Sequence, residues 1–233
     1  RILDRLRDAG QPVLRQPNAG LAAARNALVA AAGGGLIVPL DADNRLRPGF
    51  VEEALKAFRT HPNLGVVYGD RQLFGGRTDR LTIPDFDLQR LVSANTIDAC
   101  AMFRRDLWQD VGGYDETLRL GFEDWEFWLH AGKRGWRFLH LPTVALDYRV
   151  RPGSLVSLSD SPEGNRQFRR LLWRKHADLL VESTPTPMRR ALGVRPPYPA
   201  DCAALPPWPR FALRAYWHLV WGRAALGRAG RIC

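Results

Sequence analysis

A chain of 233 residues with 45% apolar content can build one sizeable domain and an appendage, and no stretch reaches the roughly 20 apolar residues that span a bilayer. The net charge of +10 rests almost wholly on arginine, Lys56, Lys133 and Lys175 being the only lysines, and it favours polyanionic partners such as nucleoside diphosphates or anionic lipid surfaces. No basic stripe interleaved with stacking aromatics and no zinc or helix-turn-helix pattern accompanies that charge, which argues against nucleic acid as a partner.

Ile2, Leu3 and Leu6, alternating with Arg1, Arg5 and Arg7, read as the last turns of an amphipathic helix stopped by Gly10. "PVLRQ" (Pro12 to Gln16) reads as a short strand, and an alanine-rich helix is expected from about Leu21 to Ala32, closed by Gly33, Gly34 and Gly35. The apolar run Leu36, Ile37, Val38 and Leu40 predicts a buried strand ending at Asp41 and Asp43. Pro48 is expected to open a helix reaching Arg59, where a missing first-turn N–H costs nothing. "LGVVYGD" (Leu64 to Asp70) is the next strand, followed by a loop or small hairpin. A strand over Ile97 to Arg105 and a short helix ending in Gly112 and Gly113 come next. The helix starting at Glu123 runs to Lys133 and stops at Gly135, and two strands, "WRFLHLP" and "TVALDYRV", precede a helix over Pro162 to Glu182. Such alternation of helix and strand predicts an α/β fold with a mostly parallel sheet flanked by helices.

From Ser183 the composition changes. Three units are expected: a main domain over 1–183, a proline-rich linker or surface strap over 184–209 that cannot form regular helix, and a basic, aromatic amphipathic helix over 210–233. In that helix Arg210, Arg214 and His218 share one stripe, with Trp217 and Trp221 at its edge. The pattern fits a helix lying at an anionic membrane surface and fits equally a helix docked on its own domain. Arg1 to Gly10 is too charged for a secretory leader. Cys100, Cys202 and Cys233, odd in number and widely spaced, fit neither a disulfide framework nor a metal site. The expected location is cytoplasmic, peripheral on the inner membrane face if the last helix is interfacial.

The chemistry concentrates in two acidic motifs. In "LDADN", Asp41 and Asp43 stand at the carboxyl end of a strand, where open α/β sheets bind ligands. Two carboxylates one residue apart there suit a hard divalent cation shared with substrate phosphates, although Asp43 and Asn44 would equally cap the following helix. In "FEDWEFWLHAGKRGW", Glu123 and Asp124 begin a helix whose Phe122, Trp125, Trp128 and Leu129 mark its core face. A carboxylate at that end feels the positive pole of the dipole, which alone would explain an acidic start.

"PNAGLAAARN", "LDADN", "MFRRDLWQDVGGYDE", "FEDWEFWLHAGKRGWRF" and "YRVRPGSLVS" occur in the order and spacing of family 2 glycosyltransferases, and the chain resembles them from about Arg1 to Glu182. The resemblance implies the GT-A, Rossmann-like fold, a nucleotide diphosphate sugar donor, a hydroxyl acceptor (cell-surface glycan, glycolipid or glycoprotein) and Mg²⁺ or Mn²⁺ as cofactor. It implies metal binding by Asp43 with Asp41, and a general base at Asp124 beside Glu123. It places Asn18, Arg25, Asp41, Arg149 and Arg151 near the nucleotide sugar, and Gly112, Gly113 and Trp125 near the sugars. Many relatives carry a histidine where Arg151 stands, so a third protein ligand to the metal is in doubt.

The family's first strand and first helix normally precede "NAGLAAARN", and only a helix end and "PVLRQ" do so here. The expectation is an N-terminally truncated domain with a C-terminal helical extension that binds donor poorly by itself. A second reading is non-enzymatic, a glycosyltransferase-like binding or scaffold module at the membrane.

Overall fold

Alternating apolar residues of two long strands set the centre of the molecule. In β3 (Leu64–Gly75), Val66 faces one side of the sheet and Val67 the other, and both are fully buried. The computed structural model describes residues 2–151, 161–199 and 202–229, with side chains of residues 202 and 222–229 excepted. β3 runs parallel to β6 (Arg137–Val150), with Val66 opposite Phe138 and Leu73 opposite Tyr148. Around this parallel pair the sheet is mixed, in the order β1-β5-β3-β6-β2, and β4 (Arg80–Leu81) adds a hairpin to the far end of β3. The short strands β1 (Leu36–Ile37), β2 (Arg45–Leu46) and β5 (Met102–Arg104) pair antiparallel.

One face of the sheet is covered by α3 (Phe50–Thr60), whose Phe50, Ala54 and Phe58 pack on Leu64, Val67 and Met102. The other face carries the larger core. There α4 (Leu88–Ser93), α5 (Arg105–Val111) and α6 (Glu123–Lys133) bring Leu91, Leu107, Phe127 and Trp128 against Phe103 and Val66. Helices α7 (Pro162–Lys175) and α8 (Ala177–Glu182) extend this core with Phe168, Leu172 and Leu180. The α/β architecture with flanking helices and a C-terminal helix is therefore as expected.

Several elements depart from the sequence-based expectation, each for a local reason. α1 (Ile2–Asp8) and α2 (Leu21–Ala31) are present, but "PVLRQ" between them is not a strand: it has no neighbouring strand to pair with and is mostly exposed. β1 is short and half-buried because it lies at the sheet edge, and Leu40 beyond it is 48% exposed. Pro48 precedes the helix it was expected to open, since Gly49 in the left-handed region (φ +86°) is the cap and α3 starts at Phe50. The strand expected from Ile97 starts only at Met102, because Asp98 turns the chain, its Oδ1 accepting from the Cys100 amide at 2.9 Å. "WRFLHLP" and "TVALDYRV" are one strand: a register shift opposite Gly69 and Asp70 absorbs Pro142, which has no N–H for the ladder. The helix expected over Pro162 to Glu182 breaks at His176, whose side chain turns inward to Glu126.

The proline-rich stretch does form helix. α9 (Thr186–Ala191) is capped by Pro185 and holds Pro187 in its first turn, where a missing N–H is harmless. Val194 and Leu205 from this stretch join the main core, so it packs instead of linking. α10 (Pro207–Ala229) docks Leu213, Trp217 and Trp221 into the same core. Of the two placements open to that helix, its buried face is intramolecular. No helix among the described residues is long and apolar enough to cross a membrane.

Candidate active site

The two acidic motifs meet through one arginine. Arg25 projects from α2 into the interior and is 6% exposed. One guanidinium nitrogen donates to Oε1 of Glu123, at the start of α6, and the other to Oδ1 of Asp41, past β1, at 3.0 Å. Burial alone would lower the guanidinium's pKa; Glu123 first, then Tyr114, Asp41 and Asp124 more than offset that, and it is raised. The expected contact of Arg25 with a phosphate is not its arrangement here: both arms of the fork are engaged by carboxylates. The arginine holds the motifs together.

Asn26, the next residue on α2, makes a second staple. Its Nδ2 donates to the Tyr114 carbonyl and to Glu116, both at 2.9 Å, while its Oδ1 accepts from the Tyr114 amide at 2.8 Å and the Trp108 indole at 3.0 Å. Gly113 makes room for it, since a Cβ there would stand 2.7 Å from Asn26 Oδ1 and the backbone sits at φ +79°. Gly112, also left-handed, ends α5. Both glycines line a groove of about 820 Å³ with Ala23, Ala27, Trp108 and Glu116, on the side of α2 turned to the Asn26 staple. Asn26→Ala is expected to leave the Tyr114 amide and Trp108 indole without partners and to destabilise the fold by about 1–3 kcal/mol, measured by urea unfolding.

The start of α6 is a strained turn. Gly121 (φ +104°) is followed by Phe122, the only non-glycine residue at positive φ among those described. A bulky residue in that region has a cost that the surroundings must hold in place, and such positions concentrate at functional sites. Here the turn aims Glu123 at Arg25 and sets Asp124 within reach of the arginine's charge. Glu123 is 3% exposed and its Oε2 has no hydrogen-bond partner among the described residues.

Asp124 is half-buried. Its Oδ1 accepts from the Trp125 amide at 2.8 Å and its Oδ2 from Asn95 Nδ2 at 3.2 Å. Burial, then the adjacent Glu123 carboxylate, push its pKa up to about 7, against the opposing pull of Arg25. Asp98 adds to the push, and is held by Arg71 at 3.2 Å.

Asn95 and Asp98 had no motif to announce them. The available signal was two polar side chains inside the apolar stretch "LVSANTIDACAMF", each now lying beside the acidic pair. The Asn95 Oδ1 atom is buried and unpartnered among the described residues.

The remaining candidates are spread around this centre. Asp43 is 33% exposed by its side chain and pairs with Arg151 at 3.2 Å; Arg149 Nε donates to the Asp43 carbonyl at 3.3 Å. The Arg149 amide also donates to Asn44, at 2.9 Å, and its guanidinium lies 4.6 Å from the Phe74 ring centre. Asn44 therefore ties the aspartate turn to β6 and does not cap α3. Asn18 is exposed and turns its loop by accepting from the Gly20 amide at 3.2 Å, with no bond to the acidic centre. Trp125 is a core residue and cannot stack on a sugar: it is 2% exposed, packs against Phe122 and Phe168, and donates its indole N–H to the Leu91 carbonyl at 2.6 Å. Tyr114 is equally buried, stacked on Phe127. The part of "YRVRPGSLVS" after Arg151 lies outside the described residues.

Comparison with known proteins agrees with this reading of the motifs. Residues 2–112 match the pattern of Glycosyl transferase family 2. Over 152 residues the chain is 28% identical to chondroitin synthase of Pasteurella multocida (strain Pm70), a match covering 64% of this chain and 15% of that protein. Over 150 residues it is 29% identical to hyaluronan synthase of Pasteurella multocida, covering 63% and 15%. The crystal structure of S. aureus TarS in complex with UDP-GlcNAc is similar with a TM-score of 0.60 at 19% identity, over 82% of this chain and 56% of that one. The matched region thus spans a small part of either synthase, and the likeness to TarS bears on the fold. By its motif set and these matches the chain is similar to the family 2 glycosyltransferases, and by its sheet it shares their fold.

Proposed function

We propose that the chain carries the catalytic centre of an inverting transferase that moves a sugar from a nucleotide diphosphate sugar to a hydroxyl acceptor, with Asp124 as general base. The observation that carries this reading is the buried Arg25 joining Asp41 to Glu123, which puts a helix-start carboxylate beside the strand-end carboxylates. In a single displacement the acceptor oxygen attacks the anomeric carbon as the bond to the diphosphate breaks on the opposite face. The hydroxyl proton passes to Asp124, whose carboxylate is held by the Trp125 amide and Asn95. A base with pKa near the working pH combines an ionised population with real proton affinity.

Asp43 and Asp41 fit a divalent cation by their donor chemistry. Both carboxylates are partly exposed, and Mg²⁺ commonly takes one or two carboxylates together with substrate phosphates in place of an all-protein cage. Among the described residues no cluster of three or more His, Cys, Asp or Glu could form such a cage. Mg²⁺ or Mn²⁺, when bound, supplies charge neutralisation at the leaving diphosphate. Arg151, exposed and now paired to Asp43, and Arg149 beside it are placed to turn to the phosphates. The acceptor class proposed is a glycan, glycolipid or glycoprotein hydroxyl.

Asp43→Ala is expected to abolish Mn²⁺-enhanced binding of nucleoside diphosphates in titration calorimetry while leaving the unfolding midpoint nearly unchanged. Unaltered metal dependence would remove Asp43 from the site. The base assignment also fixes the sign of the pH effect. Because the active form of Asp124 is ionised, kcat/KM is expected to rise with pH through about 7 and then level off. A rate that falls through this range would contradict the assignment.

A further inference from the structure

α10 is apolar on two opposite sides, and only one of them is docked. At 100° per residue, Leu213, Trp217 and Trp221 form the buried stripe, with exposures of 0%, 3% and 5%. The indole of Trp217 donates to the Leu180 carbonyl and that of Trp221 to the Val92 carbonyl, which fixes the rotation of the helix about its axis. Trp208, Phe211 and Leu219 fall on the opposite side in one row with Ala215, and they are 67%, 65% and 68% exposed. Scattered surface apolar residues need no explanation, but a continuous row containing stacked aromatic rings (Trp208 on Phe211, 6.1 Å between centres) does.

The charge beside this row is of one sign. α10 contains no Asp or Glu; Arg214 and His218 run along one flank between the two apolar faces, while half-buried Arg210 lies in line with the buried stripe. α7 lies against that flank, where Arg214 stands over Trp173 and Arg169 over Trp221, each 5.9 Å from the ring centre. The outer side of α7 presents exposed Arg170 and Arg174, one turn apart.

We propose that the outward face of α10, with the arginines of α7, docks the domain on a membrane surface rich in anionic lipid. Tryptophan and phenylalanine at the level of the acyl boundary with arginines at the headgroups is the arrangement of a helix lying in the interface plane. The charge complementarity selects this occupant: a second copy of a +10 chain would bring the same arginine flank against itself. A nucleic acid strand would need open aromatic faces, whereas these two rings already stack on each other and the row continues in leucine. The proposal does not depend on the transferase reading.

The test is sedimentation of the full chain with vesicles of phosphatidylcholine alone or of equal parts phosphatidylcholine and phosphatidylglycerol. Binding is expected to the mixed vesicles only, to weaken as salt is raised, and to fall at least about tenfold in Trp208→Ser/Phe211→Ser/Leu219→Ser. These side chains point away from the core, and an unchanged unfolding midpoint would confirm intact folding. In a second variant, Arg170→Glu/Arg174→Glu, binding should fall by a similar factor while donor binding is unaffected. Equal partition of wild type and triple variant, or equal binding to neutral vesicles, overturns the proposal. So does a monomer–dimer equilibrium that the triple variant abolishes, which would assign the face to a second copy.

Discussion

Replacement of Asp124 by asparagine is expected to lower turnover by about 10²–10⁴-fold, with donor affinity and fold retained. The amide is isosteric and keeps the acceptor atom that faces the Trp125 amide. The new Nδ2 would face the donating Asn95 Nδ2, but Asn95 can turn its amide so that its Oδ1, unpartnered among the described residues, accepts. That leaves the capacity to take a proton as the main loss. The ascending limb of the pH profile near 7 should disappear with it, because the group that titrates there is gone. Turnover within a few-fold of wild type would exclude Asp124 as the base, whatever its surroundings.

The second large effect is on stability. Arg25→Met keeps most of the side-chain volume but strands Glu123, which is almost fully buried and has one oxygen without a hydrogen-bond partner among the described residues. Removing one partner of a buried pair costs about 3–5 kcal/mol, because the remaining charge keeps its desolvation penalty. The partly exposed Asp41 adds little to this figure, since solvent screens its share. Urea unfolding should show the loss, and the double variant Arg25→Met/Glu123→Gln should recover a large part of it, since no buried charge is then left alone. If the double variant is no more stable than the single, the ion pair is not what holds α2 to α6. Activity is expected to stay lost in both variants, because Arg25 and Glu123 both contribute to the field that Asp124 feels.

How legible this was in the sequence depended on the range of the interactions involved. α6 matched its expected bounds, Glu123 to Lys133, because its apolar residues recur at helical spacing and Gly135 follows its end. α2 was equally plain from its alanines. "PVLRQ" and the run into Asp41 both looked like strands by composition, yet only Leu36 and Ile37 of the second find a partner strand, and a strand exists only where a neighbour accepts its hydrogen bonds. Arg25 illustrates the same limit at the site. The motif marked it as functional and suggested phosphate, whereas its partners Asp41 and Glu123 come from other elements of the fold. For Trp125 the helical spacing pointed to the core face and the resemblance to the sugars; it is buried with Phe122 and Leu129, as the spacing implied. Asn95 and Asp98 were missed altogether, and only the fold brings their loop to the start of α6.

The single displacement proposed for Asp124 is tested directly by the stereochemistry of the product. With a donor that supports transfer, proton NMR of the newly formed glycoside reports its anomeric configuration before any equilibration. One attack on the face opposite the diphosphate, with Asp124 taking the proton, predicts a product of configuration opposite to that of the donor sugar; a product of retained configuration would contradict it.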